Sequence, residues 1–271
     1  MRLFPFSKIM LILGLIFLYI PLVVLILFSF SNSEIINLWG GFTLDWYKEL
    51  FQDSDIINAA LVSLQVAVVA SLAATILGTI IAYSITRFKR FRGKHFLYGM
   101  TITPLVLPDI VLGVSLLLMF TSLQGIIGWP HGRGMMTIIL AHITFCTAYV
   151  TIVMQARIRS VDLSIEEAAM DLGAKPLKVF FQITLPQIIP SLIASFLLAF
   201  TLSIDDLVIT EFVAGSSDPT LPMYIYSTVK NGPTPEINAL ATIMIAIIST
   251  VVVIGAFITF KVENNKKKKN R

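Results

Sequence analysis

Six long apolar stretches constrain the fold of this chain more than any other feature of its sequence. The first, residues 9–28, contains no charged side chain, and about twenty apolar residues in a helix cross the hydrocarbon layer of a membrane. With 56% hydrophobic and only 13% charged residues, the chain is too apolar for a soluble core and shell. We therefore predict an all-α integral membrane protein. Its six transmembrane helices are expected at residues 9–28, 59–85, 96–120, 135–156, 188–212 and 237–260.

The distribution of basic residues predicts the orientation of these helices. If both termini lie in the cytoplasm, only Lys48, Arg133 and Lys230 of the twenty Lys and Arg residues face outward. Cytoplasmic loops carry an excess of Lys and Arg, so this orientation is favoured. The net charge of +4 does not indicate nucleic acid as a partner, because residues 266–269 and Arg271 concentrate basic charge in one tail. Such a tail is typical of a cytoplasmic end that faces membrane lipid.

A polar segment, residues 157–187, separates the fourth and fifth predicted spans and lies on the cytoplasmic side in this orientation. Within it we expect Ser164 to cap a short helix, with Glu167 completing a capping box. Gly173 is expected to end that helix, and Pro176 to begin a second one. The pattern that singles out this segment comprises Glu167, Ala168, Ala169, Asp171, Gly173, Leu185 and Pro186.

Acidic residues occur where a membrane makes them costly. Asp109 lies in the third predicted span, and Asp205 and Asp206 lie in the fifth, with Glu211 nearer its outer end. An aspartate at the bilayer centre costs about 2.5–3.5 kcal/mol, so such residues should face a bundle interior or an aqueous path. No Lys or Arg occurs within any predicted span. These residues therefore predict a pathway that attracts cations and repels anions.

Structural roles for the same aspartates remain open. Asp205 and Asp206 are also suited to capping a helix break, and Asp109 follows Pro104 and Pro108, which remove backbone donors and can open a helix. Of the other groups in the spans, His142 has no Cys, Asp or Glu at ligand spacing and is expected to pack between helices. The single cysteine, Cys146, is expected to be a small buried side chain.

The segment at residues 157–187 resembles the cytoplasmic loop of ABC importer permeases, whose short helix docks onto an ATPase. The resemblance lies in the spacing of Glu167-Ala168-Ala169, Gly173 and Leu185-Pro186. Beyond this loop, nearly the whole chain is similar to the smaller permease subunit of bacterial spermidine/putrescine importers. Segments that carry this similarity include Pro108-Asp109-Ile110-Val111, Leu202-Ser203-Ile204-Asp205-Asp206 and Ala141-His142-Ile143-Thr144-Phe145.

The resemblance implies a single type I ABC importer transmembrane domain over residues 1–271, with a cytoplasmic coupling helix. Such a chain is a multi-pass protein of the bacterial inner membrane and forms half of a translocation pathway for polyamines. Its implied partners are a homologous second permease, a dimer of ATPase subunits and a periplasmic polyamine-binding protein.

ATP hydrolysis and other chemistry are expected to lie outside this chain. Gly93-Lys94 is not a Walker A motif, because position 88 is Phe and not Gly, so the ATPase is a separate subunit. We expect no catalytic residues, no metal site and no cofactor here. Three alternatives remain: a permease for another cation such as ferric iron, an intramembrane aspartyl protease that uses Asp109 and Asp205, and an ion-coupled secondary transporter.

Overall fold

The computed structural model describes residues 5–35, 38–88, 90–215, 218–232 and 234–250. These residues form an all-α structure, apart from one isolated bridge between Ser31 and Phe42. The predicted basic tail and the end of the sixth predicted span, residues 251–260, lie outside the described residues. The described residues belong to two compact units, one of residues 58–224 and one of residues up to 57 and from 225 onward.

Twelve helices account for most of the described chain. Their bounds are α1 Pro5–Phe28, α2 Asp45–Gln52, α3 Ser54–Arg87, α4 Lys94–Val106, α5 Asp109–Ile127, α6 Met135–Ser160, α7 Leu163–Asp171, α8 Pro176–Val179, α9 Leu185–Ile204, α10 Val208–Val213, α11 Leu221–Asn231 and α12 Pro235–Thr250. A π-helical segment, Phe180–Thr184, joins α8 to α9.

Five of the described helical stretches are long and apolar enough to cross a membrane, and α12 is a shorter apolar helix. These helices overlap the six predicted spans with different bounds, and two of those spans are not continuous helices. The third is divided into α4 and α5 at Leu107 and Pro108, because the ring of Pro108 and its missing N–H interrupt the helix. The fifth is interrupted at residues 205–207, between α9 and α10.

The core of the unit formed by residues 58–224 surrounds α6. This helix packs against α4, α9 and α10, and α5 packs against α10. The inward face of α6 carries large apolar side chains such as Ile138, Met154 and Ile158, which are fully buried. Close helix approach depends on small residues. A Cβ added to Gly78 on α3 would come within 2.6 Å of Val150 on α6, an arrangement typical of membrane helix pairs.

In the other unit, α1 carries no charged residue after Lys8, and most of its side chains are exposed. The segment after α1 is held to α2 by aromatic side chains. The Trp46 indole Nε1 donates to the carbonyl of Ser31 at 2.8 Å, and the Tyr47 hydroxyl lies 2.7 Å from Ser29 Oγ. The ring of Phe30 stacks on that of Phe42. Amphipathic rings of this kind suit a segment at a membrane interface.

Candidate coupling and translocation sites

The short helix α7 begins differently from the sequence-based expectation. Its N-cap is Asp162, whose carboxylate accepts a hydrogen bond from the backbone N–H of Ser164 at 2.9 Å. That bond holds the pKa of Asp162 below its usual range. The predicted cap at Ser164 with a capping box to Glu167 is therefore wrong. Asp accepts from the first-turn N–H groups as well as Ser does, so an Asp two residues earlier takes that role.

The end of α7 confirms the expected role of Gly173. Its φ of +86° is left-handed, and the N–H groups of Gly173 and Ala174 donate to the carbonyls of Met170 and Ala169 at 2.9 and 3.0 Å. This is the Schellman pattern, which satisfies the last carbonyls of a helix. The chain then turns, and Pro176 begins α8 as expected.

The predicted coupling residues do not all share one environment. Glu167, Ala168, Asp171 and Gly173 are exposed on and after α7, and Ala169 is half-buried. Leu172 and Leu177 beside them are 91% and 74% exposed. The other two members of the pattern begin α9, where Leu185 packs against the core and Pro186 is exposed in the first turn. Exposed leucines among polar residues form a surface suited to a protein partner.

Beside this exposed surface, α7 carries a buried ion pair that sequence reasoning missed. Glu166 is only 3% exposed, and its Oε1 accepts from Arg87 Nη2 at 2.7 Å and from the Thr184 hydroxyl at 2.9 Å. The only sequence signal was a second glutamate adjacent to Glu167. Nothing in the spacing pairs residue 87 with residue 166.

The two aspartates between α9 and α10 have different surroundings. Asp205 is exposed and ends α9 as its C-cap. Asp206 is turned inward, where its Oδ2 accepts from the backbone N–H and hydroxyl of Thr210 at 2.8 and 2.7 Å. Its hydrogen bonds therefore satisfy donors in the first turn of α10, as a capping side chain does.

His142 is also part of this interior network. Its Nδ1 lies 2.6 Å from Ser203 Oγ, its Nε2 lies 2.9 Å from Thr210 Oγ1, and the same Nε2 is 3.4 Å from Asp206 Oδ2. The ring is buried with both nitrogens in contact with polar groups, which agrees with the expected packing role. Sequence reasoning considered only Lys and Arg as partners for the intramembrane acids, and so missed this imidazole beside Asp206.

The remaining acidic residues lie on neighbouring helices. Asp109 is the first residue of α5 and is exposed, and Glu211 is exposed on α10. The two helices approach closely, since a Cβ on Gly113 would lie 2.6 Å from the ring of Phe212. The break at residues 205–207 leads directly into α10. The packing of α5 against α10 therefore brings the helix that carries Asp109 close to the segment that carries Asp205, Asp206 and Glu211.

The unit formed by the residues up to 57 and from 225 onward contains a separate acidic cavity of about 300 Å³. Its lining consists of Glu34, Trp46, Thr234, Pro235 and Glu236. Burial raises the pKa of Glu236 above its usual range, and a hydrogen bond with Glu49 and the charge of Asp53 act in the same direction. This cavity adds negative charge beside the aromatic segment that follows α1.

Comparison with known proteins identifies what the chain is similar to. Residues 74–268 match the family model described as binding-protein-dependent transport system inner membrane component. The chain is 50% identical over 262 residues to the putrescine transport system permease protein PotI of Escherichia coli strain K12, a match that covers 97% of this chain and 93% of that protein. It is 42% identical to the spermidine/putrescine transport system permease protein PotC of Haemophilus influenzae, over 90% of this chain and 93% of that protein.

A solved structure shares the fold. A bacterial ABC transporter involved in the import of the acidic polysaccharide alginate contains a chain that matches with a TM-score of 0.70 and 20% identity, over 91% of this chain and 90% of that one. The fold is thus that of an ABC importer transmembrane domain.

Proposed function

Because this chain belongs to the family of inner membrane components of binding-protein-dependent transport systems, we propose that it forms half of the translocation pathway of an ATP-driven polyamine importer. The observation that carries the cargo assignment is the 50% identity over 97% of the chain to a putrescine permease. Putrescine is named in both relatives described above, and spermidine only in the more distant one. Putrescine is therefore the first cargo to test.

The proposed importer needs four further components. A homologous second permease completes the membrane pathway, a periplasmic polyamine-binding protein delivers cargo, and two ATPase subunits supply energy. The ATPase contacts the exposed surface of α7, with Glu167, Ala168, Asp171 and Gly173 at the interface. Both chain termini lie in the cytoplasm, so that α7 is on the side where ATP is available.

Within the pathway, the exposed carboxylates of Asp109, Asp205 and Glu211 receive the cationic cargo. Carboxylates attract an ammonium group and disfavour anions. Asp206 stabilises this region from its buried side, because its hydrogen bonds to Thr210 and its contact with His142 fix the break between α9 and α10. Putrescine is a small diammonium ion, so acidic groups on neighbouring elements suit both of its charges.

The other two classes of function do not agree with the family. A protease dyad of Asp109 and Asp205 would leave the cytoplasmic surface of α7 without a role, and the curated relatives are transport permeases. An ion-coupled secondary transporter is equally at odds with a family whose transport depends on a binding protein. Another cation, ferric iron included, remains an outcome of the uptake experiment and not a separate proposal.

Uptake by the complete complex tests the proposed function. Vesicles that contain both permeases and the ATPase, supplied with the binding protein, should accumulate labelled putrescine only when ATP is present on the ATPase side. Labelled spermidine and ferric iron serve as competing cargoes in the same assay. ATP-driven uptake of ferric iron without uptake of either polyamine would contradict the cargo assignment.

A further inference from the structure

Three structural elements of the unit formed by residues 58–224 meet at one oxygen atom. Glu166 Oε1 accepts hydrogen bonds from Arg87 Nη2 at 2.7 Å and from Thr184 Oγ1 at 2.9 Å. Arg87 is the last residue of α3, Glu166 lies in the first turn of α7, and Thr184 directly precedes α9. A displacement of α7 therefore moves the oxygen that accepts hydrogen bonds from the end of α3 and from the residue before α9.

Stability alone does not account well for this arrangement. The side chains of Arg87 and Glu166 are 10% and 4% exposed, and a buried ion pair offsets its loss of hydration only when its geometry and hydrogen bonding are excellent. Here Arg87 uses Nη2 and no second guanidinium nitrogen toward Glu166. Its buried Nε has no hydrogen-bond partner among the described residues. Arg87 therefore forms one hydrogen bond with Glu166 and not the pair of parallel bonds that Arg frequently forms with a carboxylate.

The backbone on the α9 side is irregular at the same place. Thr184 ends the π-helical segment Phe180–Thr184, and its hydroxyl makes no capping bond to α9. Short π segments are rare and occur often at functional sites. At the other end of the segment, Phe180 packs edge-on against Tyr83 with ring centroids 5.0 Å apart. Tyr83 lies one helical turn before Arg87, so the last turn of α3 contacts one end of the π segment directly through Tyr83 and is linked to the other end through Glu166.

We infer that Arg87, Glu166 and Thr184 form a joint that transmits movement of α7 to α3 and α9. The inference rests on the proposed function, in which an ATPase displaces α7. The two adjacent glutamates differ in role, because Glu167 is exposed and free to meet the proposed ATPase, while Glu166 is buried in the joint. These three are positioning residues and contact neither ATP nor cargo. Their loss should separate ATP hydrolysis from transport.

The variant Thr184→Val tests the joint with a minimal change in shape. It removes the hydroxyl that reaches Glu166 and keeps the volume of the side chain. Thr151→Val is the matched control, since Thr151 is also buried but, within the described part of the chain, its hydroxyl donates to the carbonyl of Thr147 in its own helix. We expect the putrescine imported per ATP hydrolysed to fall by about threefold or more for Thr184→Val. Thr151→Val should match the wild type, and Thr184→Ser should restore the ratio.

A double substitution distinguishes a defect in transmitting movement of α7 from a defect in folding. Glu166→Gln alone leaves the Arg87 charge buried without its partner and is expected to lower the amount of assembled complex. Arg87→Met combined with Glu166→Leu removes both charges and should restore assembly, because apolar side chains of similar size replace a buried ion pair with little loss of stability. If the pair transmits movement, this double variant assembles normally and still transports poorly for each ATP hydrolysed.

Two readouts distinguish failure of the joint from failure of the proposed cargo. One is putrescine uptake per ATP, and the other is stimulation of the ATPase by the binding protein, which requires communication through the membrane domain. If the binding protein stimulates the ATPase of the wild-type complex but no putrescine is imported, the proposed cargo is wrong. The joint is then tested by whether Thr184→Val loses that stimulation. Wild-type values of both readouts in Thr184→Val and in the double variant would overturn the joint.

Discussion

Adjacent acidic side chains face opposite environments at two places in this chain. Glu166 is buried beside Arg87 whereas Glu167 is exposed, and Asp206 is held by Thr210 whereas Asp205 is exposed. Neighbouring residues on a helix point about 100° apart, so only one of Glu166 and Glu167 on α7 can face the interior squarely. Asp205 and Asp206 lie in the break between α9 and α10, where Asp205 is the C-cap of α9 and Asp206 is held by its hydrogen bonds to Thr210. In each pair, the inward residue is held by hydrogen bonds to neighbouring elements, and the outward residue is exposed, as the proposed contact with a partner or cargo requires.

Neutralising the outward aspartates should impair cation transport without preventing assembly. Asp205→Asn and Asp109→Asn keep the size and polarity of the side chains but remove their charge. If these carboxylates receive the cargo, putrescine uptake at low concentration should fall by about two- to fivefold, the effect expected for a solvated ionic contact. The measurement is labelled uptake in vesicles, with complex recovery measured in parallel. Normal uptake by both variants over a range of putrescine concentrations would show that these aspartates are structural.

Removing the inward aspartate should instead reduce stability. Asp206→Ala leaves the backbone N–H and the hydroxyl of Thr210 without their acceptor, and an unsatisfied buried donor costs about 1–3 kcal/mol. The unfolding temperature of the purified complex in detergent should therefore fall. Glu211→Ala is the control, because Glu211 is exposed on the same short helix. Equal unfolding temperatures for the two variants would contradict the capping role of Asp206.

At the scale of the helix, α7 depends on the turn that ends it. Gly173 has a φ of +86°, and no atom of the described residues lies within 4 Å of an added Cβ, so the cost of a substitution comes from the backbone and not from a collision. Two hydrogen bonds close the Schellman turn around it. The direction in which the chain leaves α7 is therefore fixed by a residue that contacts little else.

Replacement of Gly173 should accordingly depend on which side chain is introduced. Gly173→Val places a β-branched residue in the left-handed region at a cost of about 1–2 kcal/mol, which should distort the exposed surface of α7. Gly173→Asn should be tolerated better, because Asn adopts this conformation more readily. The measurement is the amount of ATPase that co-purifies with the permease. Equal recovery of the ATPase with both variants would falsify the role of backbone conformation in docking.

At the scale of the whole molecule, the basic residues and the apolar helices predict one topology. Seventeen of twenty Lys and Arg residues then lie on the cytoplasmic side. A reporter fused after the last residue should be cytoplasmic, and one inserted after Asp218 should be external. Alkaline phosphatase and a fluorescent protein, active on opposite sides of the membrane, make the measurement. An external carboxyl terminus would indicate an odd number of spans and would reverse the placement of α7.

The sequence by itself determined the class of this protein, because its signals are local and strong. Apolar runs long enough to cross a membrane are visible in composition alone, and Pro108 marks the break between α4 and α5 since it removes a backbone donor. The turn at Gly173 and the start of α8 at Pro176 follow equally from local backbone rules. The spacing around Glu167 indicated the family that comparison with relatives then confirmed.

Only the tertiary structure decided which polar groups pair, because pairing depends on helix approach and rotation. Arg87, Glu166 and Thr184 are far apart in the sequence, and nothing in the local pattern brings them to one oxygen atom. The contact of His142 with Asp206 likewise requires α6 to pack against α10. Periodicity shows that a helix has an apolar face, but the depth and partner of each polar side chain are set by packing between helices far apart in sequence.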